Sequence, residues 1–199
     1  MIEGNPVFGG IAVGPVWMYL PILPSPGESS IDAGKAPEEA RRFLIAREQA
    51  AAQLEALVAQ HQGGDQAKIL GTHIHIVTDE VIREDIVDTI IHRLLSAEAA
   101  VQLVYNRYVA MLEKTPDPRM RERSADLIDA QRRLLRILAG AEETGPAAIN
   151  RPAILVAREL LPSEAAALNP AFVLGIVTEA GGSTSHAAII AKGCGIPAL

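Results

Sequence analysis

The sequence predicts a mixed architecture, an α/β layer whose chain is interrupted by an antiparallel helical bundle. Three observations predict it. Between residues 37 and 140, apolar residues recur at spacings of three and four with no convincing strand among them, the pattern of amphipathic helices packing on one another. After residue 144, two short apolar runs alternate with helical stretches, the order of an α/β layer. Ahead of residue 30, a glycine-punctuated apolar stretch reads as strand and is separated from the helices by a proline-rich segment, so it must rejoin a layer formed far downstream. The resulting boundaries are residues 1–30 with 144–199 for a discontinuous α/β domain, and 31–143 for the helical domain.

Composition narrows the class. With 199 residues, the chain suits one large domain or two small ones. A net charge of −6 argues against nucleic acid or an anionic membrane as the main partner. The single cysteine, Cys194, permits no intramolecular disulfide and fits a reducing compartment. No basic-then-apolar leader opens the chain, and no apolar run approaches about eighteen residues. A cytoplasmic protein is expected.

Taken in order, residues 8–20 carry Gly9-Gly10-Ile11-Ala12-Val13-Gly14-Pro15-Val16-Trp17-Met18-Tyr19, which reads as one or two short strands. Residues 21–37 hold four prolines and favour an extended linker. Phe43, Leu44, Ala50, Ala51, Leu54, Leu57 and Val58 then mark one long helix that Gly63-Gly64 ends. Asp65 can cap a second helix containing Ile69, Leu70, His73, Ile76 and Val77. After a break at Thr78-Asp79, a third follows with Ile82, Ile86, Ile90 and Leu94 on one face. Ser96 can cap a fourth, whose inner face carries Val101, Val104, Tyr108, Met111 and Leu112. Thr115-Pro116-Asp117-Pro118 stops it and starts a last helix, with Met120, Leu127, Ile128, Leu134, Leu135 and Leu138 inward until Gly140. Residues 153–157 read as a strand, residues 160–164 as the turn into a short helix, and residues 173–178 as a second buried strand.

That second strand runs into Gly181-Gly182-Ser183-Thr184-Ser185-His186-Ala187-Ala188-Ile189-Ile190-Ala191-Lys192. A glycine-led loop between a strand's carboxyl end and a helix's amino end is where anions bind, because free N–H groups and the positive end of the helix dipole converge there. Imidazole is a competent nucleophile near neutral pH, so His186 is the candidate site of chemistry. Thr184 and Ser185 can donate to phosphoryl oxygens, and Lys192, about a turn and a half along the helix, adds positive charge at some distance. The plain alternative is a helix-capping segment with an incidental histidine.

The string resembles the phosphohistidine signature shared by Enzyme I of the bacterial phosphoenolpyruvate-dependent sugar phosphotransferase system, phosphoenolpyruvate synthase and pyruvate phosphate dikinase. His186 matches the residue that carries the phosphoryl group, and Gly195-Ile196-Pro197-Ala198 looks like the family's continuation into the next strand. Gly71-Thr72-His73-Ile74 with Thr78-Asp79-Glu80, Arg123-Ser124-Ala125-Asp126 with Arg133-Leu134-Leu135, and Leu160-Leu161-Pro162-Ser163-Glu164 extend the likeness over nearly the whole chain. The helical insert favours Enzyme I and its close relatives over the synthase and dikinase. The resemblance implies a swivelling phosphohistidine α/β domain, a large carboxyl-terminal barrel, absent from this chain, that binds phosphoenolpyruvate and magnesium, and a homodimeric full-length protein. It also implies an HPr-type phosphocarrier docked on the helical pair, with Ile69, His73, Asp79, Glu80, Glu84 and Asp85 as the contact residues. Two departures stand out: Ala165 replaces a threonine able to hydrogen-bond the active histidine, and Lys192 replaces an arginine and lacks its planar fork.

Other readings stay open. The acidic stretch can be a solvated helix face, His73 a partly buried structural residue, and the basic residues of 119–136 an exposed helix face. His73-Ile74-His75 makes a poor metal pair, since neighbours two apart on a helix diverge. Within the class, the Enzyme I-like module of the dihydroxyacetone-kinase phosphotransfer subunit, or a nitrogen-type paralogue, is an alternative. Outside it stands a non-catalytic docking module in which His186 is only a regulatory mark.

Overall fold

The computed structural model describes residues 4–20, 30–60, 65–140, 145–180 and 185–199. The chain divides into two compact units, Met1–Ile22 with Glu143–Leu199 and Leu23–Glu142. The linker prolines at 21, 24 and 26 and the Gly63-Gly64 helix stop lie outside the described residues.

The first unit is built on a parallel sheet of β1 (Val16–Tyr19), β2 (Ala153–Ala157) and β3 (Val173–Thr178), in the order β1-β2-β3. Trp17 lies opposite Leu155, and Leu155 opposite Ile176. Parallel neighbours need long crossovers. Between β2 and β3 the crossover is the short helix α7 (Pro162–Ala166); between β1 and β2 it is the entire helical unit. Leu155 and Ile176 are buried with Tyr19 and Ala157. The intervening positions, Val16 and Met18, are 61% and 59% exposed, because successive strand residues face opposite sides. Residues 8–20 supply one strand rather than two. Phe8 contributes only an isolated bridge to Ala198, which also bridges Ile176 beside β3.

The second unit comprises α1 (Ala36–Gln60), α2 (Asp65–Val77), α3 (Glu80–Arg93), α4 (Ala97–Glu113), α5 (Pro118–Glu122) and α6 (Ser124–Leu138). Phe43, Leu54, Leu70, Ile86, Ile90, Tyr105 and Leu134 form its core. Ser96 caps its helix as the sequence indicates, and Asp79 and Asp117 add caps that the sequence reading did not name. Ser96 accepts from the Ala99 N–H at 3.3 Å and Asp79 from that of Ile82 at 2.9 Å; Asp117 caps α5 with Pro118 in its first turn. Gly140 follows α6 with φ +63, a left-handed conformation suited to glycine.

Three expectations change. Leu94 does not continue α3 but ends it in a left-handed conformation at φ 52, its carbonyl taken by the Ile31 N–H at 2.8 Å; that conformation costs a non-glycine residue about 1 kcal/mol. Met111 and Met120 are 60% and 38% exposed rather than inward. The last helix is broken at Arg123 into α5 and α6, and the five residues of α5 are too few to bury an apolar stripe.

Candidate functional site

The chain leaves the sheet at a fixed point. Beyond β3, the Glu179 and Ala180 N–H groups donate to the Ala157 and Arg158 carbonyls at 3.1 and 2.8 Å, so the loop starts level with the end of β2. Gly181, Gly182, Ser183 and Thr184 lie outside the described residues. The chain is described again at Ser185, the N-cap of α8 (His186–Cys194).

Ser185 has extended backbone angles, and its Oγ accepts from the Ala188 N–H at 3.2 Å while its carbonyl accepts from the Ile189 N–H at 3.0 Å. One lone pair of its hydroxyl oxygen is therefore committed to the helix, and its proton is left to donate elsewhere. His186 is the first residue of α8; its side chain lies outside the described residues. The buried face of the helix is Ala187, Ala188, Ile190 and Ala191. These mostly small residues let α8 come close to α7, against which it packs. Gly195 closes α8 at φ +68, donating to the Ala191 and Lys192 carbonyls. Lys192 lies in the last turn, about 9 Å of helix rise from His186, where its charge complements the carboxyl end of the dipole.

Two further features frame the helix entrance. A cleft of about 950 Å³ runs along the exposed sheet face, lined by Val16, Ile154, Val156 and Val177, to Ser185 and Ala188. Across the sheet's carboxyl edge, the Tyr19 hydroxyl donates to Glu164 Oε1 at 2.5 Å, and the Leu161 N–H donates to Glu164 Oε2 at 3.0 Å. Glu164 is 4% exposed. A buried carboxylate thus ties the turn before α7 to the last residue of β1. Sequence reasoning missed this pair, although a glutamate at the third helical position after a proline is a recognisable capping signal. Ala165, beside it, is fully buried.

The helical unit treats the expected partner residues differently. Ile69 is half-buried. His73 is 1% exposed and cannot lie on an outer face as the resemblance implied. It sits in the buried stripe Leu70, His73, Val77, with Nε2 at 3.2 Å from Asp126 and Nδ1 at 3.2 Å from Asp129. Burial alone would lower the imidazole pKa, but hydrogen bonds to the two carboxylates, and their charges, outweigh it and hold it up at about 9.

The acidic stretch is exposed but largely paired. Asp79 is spent on the α3 cap. Glu80 meets Arg47 at 2.7 Å and Arg83 at 2.5 Å, and these guanidiniums, Arg83 first, hold its carboxyl below the usual range. Glu84 lies 3.2 Å from Arg83, and Asp85 accepts from Arg107 and Tyr108 at 2.5 Å. Arg47 also donates to the Val77 and Thr78 carbonyls at 3.0 and 2.5 Å, capping α2 where the chain turns into α3. Val81, 62% exposed among these charges, is an apolar surface residue that the sequence reading passed over. Among the described residues no three His, Cys, Asp or Glu side chains gather as a metal site, and no helix is long and apolar enough to cross a membrane.

Comparison with known proteins places the chain in a family and a fold. The family model described as PEP-utilising enzyme, N-terminal, matches residues 3–123, and that described as PEP-utilising enzyme, mobile domain, matches residues 149–199. The phosphoenolpyruvate-protein phosphotransferase of Listeria innocua is 33% identical over 201 residues, taking in 100% of this chain and 35% of the relative. That of Enterococcus faecalis is 32% identical over 203 residues, with the same shares. The chain therefore spans about a third of the length of these curated relatives. A solution structure of Enzyme I superposes with a TM-score of 0.86 at 28% identity, covering 100% of this chain and 82% of that one. The N-terminal domain of Enzyme 1 - Nitrogen gives 0.67 at 25% identity, covering 97% and 80%.

Proposed function

Because the chain belongs to the PEP-utilising enzyme family, we propose that it is the amino-terminal part of an Enzyme I-type phosphotransferase in which His186 carries the phosphoryl group. The observation that supports this most is the position of His186 as the first residue of α8, directly after the Ser185 cap and at the carboxyl edge of a parallel sheet. The first N–H groups of a helix lack intrahelical acceptors. In α8 the Ser185 hydroxyl satisfies that of Ala188, which leaves the earlier ones for phosphoryl oxygens.

In the proposed reaction, an unprotonated imidazole nitrogen attacks phosphorus, an N–P bond forms, and the P–O bond to enolpyruvate breaks with its electron pair leaving on oxygen. A histidine of an HPr-type carrier then attacks the same phosphorus, and the bond to His186 breaks. Neither step needs covalent help beyond the imidazole; both need in-line placement and stabilisation of the equatorial charge. The phosphoenolpyruvate-binding barrel, its magnesium and a homodimeric, cytoplasmic assembly belong to the proposal for the full-length protein. Carrier docking is assigned to the helical unit, on the exposed side formed by Ile69, Asp79, Glu80, Val81, Glu84 and Asp85.

The test is phosphorylation by a phosphorylated HPr-type carrier. One acid-labile phosphoryl group is expected on His186 and none on the His186→Ala variant, with the fold unchanged by circular dichroism. Label that survives in His186→Ala, or that maps to His75 or His92, would remove His186 from the chemistry.

A further inference from the structure

The helical unit contains a buried ionic cluster that phosphoryl transfer does not use. His73, in the middle of α2, points both ring nitrogens at carboxylates of α6, Asp126 and Asp129, three residues apart and on one face of that helix. Asp129 is 1% exposed, and the Asp126 side chain 15%. The remaining polar residues on the buried side of α6 reach the other helices. Gln131 donates to the Gln102 carbonyl and to Asn106 of α4, at 3.2 and 2.9 Å, and Arg133 donates to Gln53 of α1 at 3.0 Å. Thus α6 holds α1, α2 and α4 by directional bonds as well as by apolar contact.

For α2 this matters most. Among its described residues, Leu70 and Val77 are the fully buried apolar side chains on either side of His73, and Gly71 contributes no side chain. A seam with so few apolar anchors leaves rotation and sliding weakly specified, whereas a ring held at both nitrogens permits one arrangement. At the carboxyl end, Arg47 from α1 holds the Val77 and Thr78 carbonyls. The exposed side of α2, with Thr72 and His75 outward and Ile69 and Ile76 beside them, is therefore oriented by contacts made on its hidden side.

We propose that His73 is a positioning residue for carrier docking, its ring, held between Asp126 and Asp129, setting the rotation of α2 and so the face presented to the phosphocarrier. This rests on the docking surface assigned above. The charges around the ring agree with the role. Asp126 and Asp129 act on it from α6, while Arg133 of α6 is turned to Gln53 and Arg47 of α1 to the end of α2. Both ring nitrogens are donors only in the imidazolium.

The experiment replaces the ionic cluster with apolar packing, a change that often preserves stability. The His73→Phe/Asp126→Asn/Asp129→Leu variant is expected to keep a melting temperature near that of the parent and an unchanged saturating rate of phosphoryl exchange with a phosphorylated HPr-type carrier. Its KM for the carrier should rise on the order of tenfold, as misplacement of a docked group implies. A KM equal to the parent's in a folded variant would show that the cluster serves stability alone and overturn the proposal. Should the variant fail to fold, nitrogen NMR of the parent decides. Two protonated ring nitrogens at pH 7.5, with shifts at Thr72 and Ile76 on carrier addition, support the role; a neutral ring, or unmoved signals, overturns it. A parent that binds no carrier at all removes the docking assignment and this inference together, whereas normal binding by the variant removes only the inference.

Discussion

The two units hold their polar groups in opposite ways. In the α/β unit, the described part of the site is made of backbone and small side chains: the Ser185 cap, the alanine face of α8, and N–H groups at the helix entrance. In the helical unit nearly every exposed charge of the acidic stretch has a partner, with Glu80 on Arg47 and Arg83, and Asp85 on Arg107 and Tyr108. Under the proposed function, a surface that receives and releases a dianion benefits from weak, fixed dipoles that carry no counter-ion of their own. A surface that must be recognised benefits from side chains already held in one arrangement, because less entropy is lost on docking.

The largest expected effects test how each unit packs. Leu54, fully buried in the helical core, should cost about 2–5 kcal/mol as Leu54→Ala, read as a lower denaturant midpoint. Ala191, fully buried on α8, should cost about 1–3 kcal/mol as Ala191→Leu, and it should also slow phosphoryl acceptance, which Leu54→Ala in a still-folded sample should not. Equal losses of transfer in both variants would erase the contrast between a core that only stabilises and one that places a reactive helix.

A pH series sharpens the contrast. The folded pKa of His73 is raised to about 9 from an ordinary 6.5, so the stabilisation from its two carboxylates is complete below about 6.5 and is lost as pH rises through about 9. Urea unfolding of the helical unit, followed by amide exchange, should weaken across that window. A His73→Phe/Asp129→Leu background should flatten the slope; an unchanged slope there would assign it to another group.

Smaller effects follow at the surface. Ser185→Ala should destabilise α8 by about 1 kcal/mol through loss of the cap. Ser185→Asp should restore the helix yet still impair phosphoryl acceptance, because it places a negative charge where the incoming group is negative. If Ser185→Asp transfers as well as the parent, the entrance of α8 is not the anion site. Glu84→Lys should have the smallest effect, slowing carrier association a few-fold at low salt and less at high salt. It is a cleaner probe than Glu80, whose loss would also remove a partner of Arg47, the residue that holds the end of α2.

Much of this architecture is legible in the sequence. The strands at 153–157 and 173–178, the Ser96 cap and the Gly140 stop announce themselves through local chemistry, because a cap or a turn is decided within a few residues. The solvent-facing positions of Met111 and Met120 are not legible, since a helical repeat shows which residues share a stripe and not whether a neighbour covers it. The Tyr19–Glu164 bond, spanning 145 positions, has no local signature beyond the capping glutamate.

His73 shows most clearly where the division falls. The sequence by itself determined that a histidine recurs with Leu70 and Val77 on one side of a helix, that acidic residues crowd the next one, and that a glycine-led loop delivers His186 to a helix entrance. These follow from 3.6-residue periodicity and from the conformations that glycine and serine permit. Only the tertiary structure decided that His73 is enclosed with Asp126 and Asp129, and that arginines from α1 and α4 quiet the acidic face. Such pairings depend on which side chains of neighbouring helices come within about 4 Å of each other, and their energy depends on how much water is excluded there, a quantity that no local stretch of chain carries.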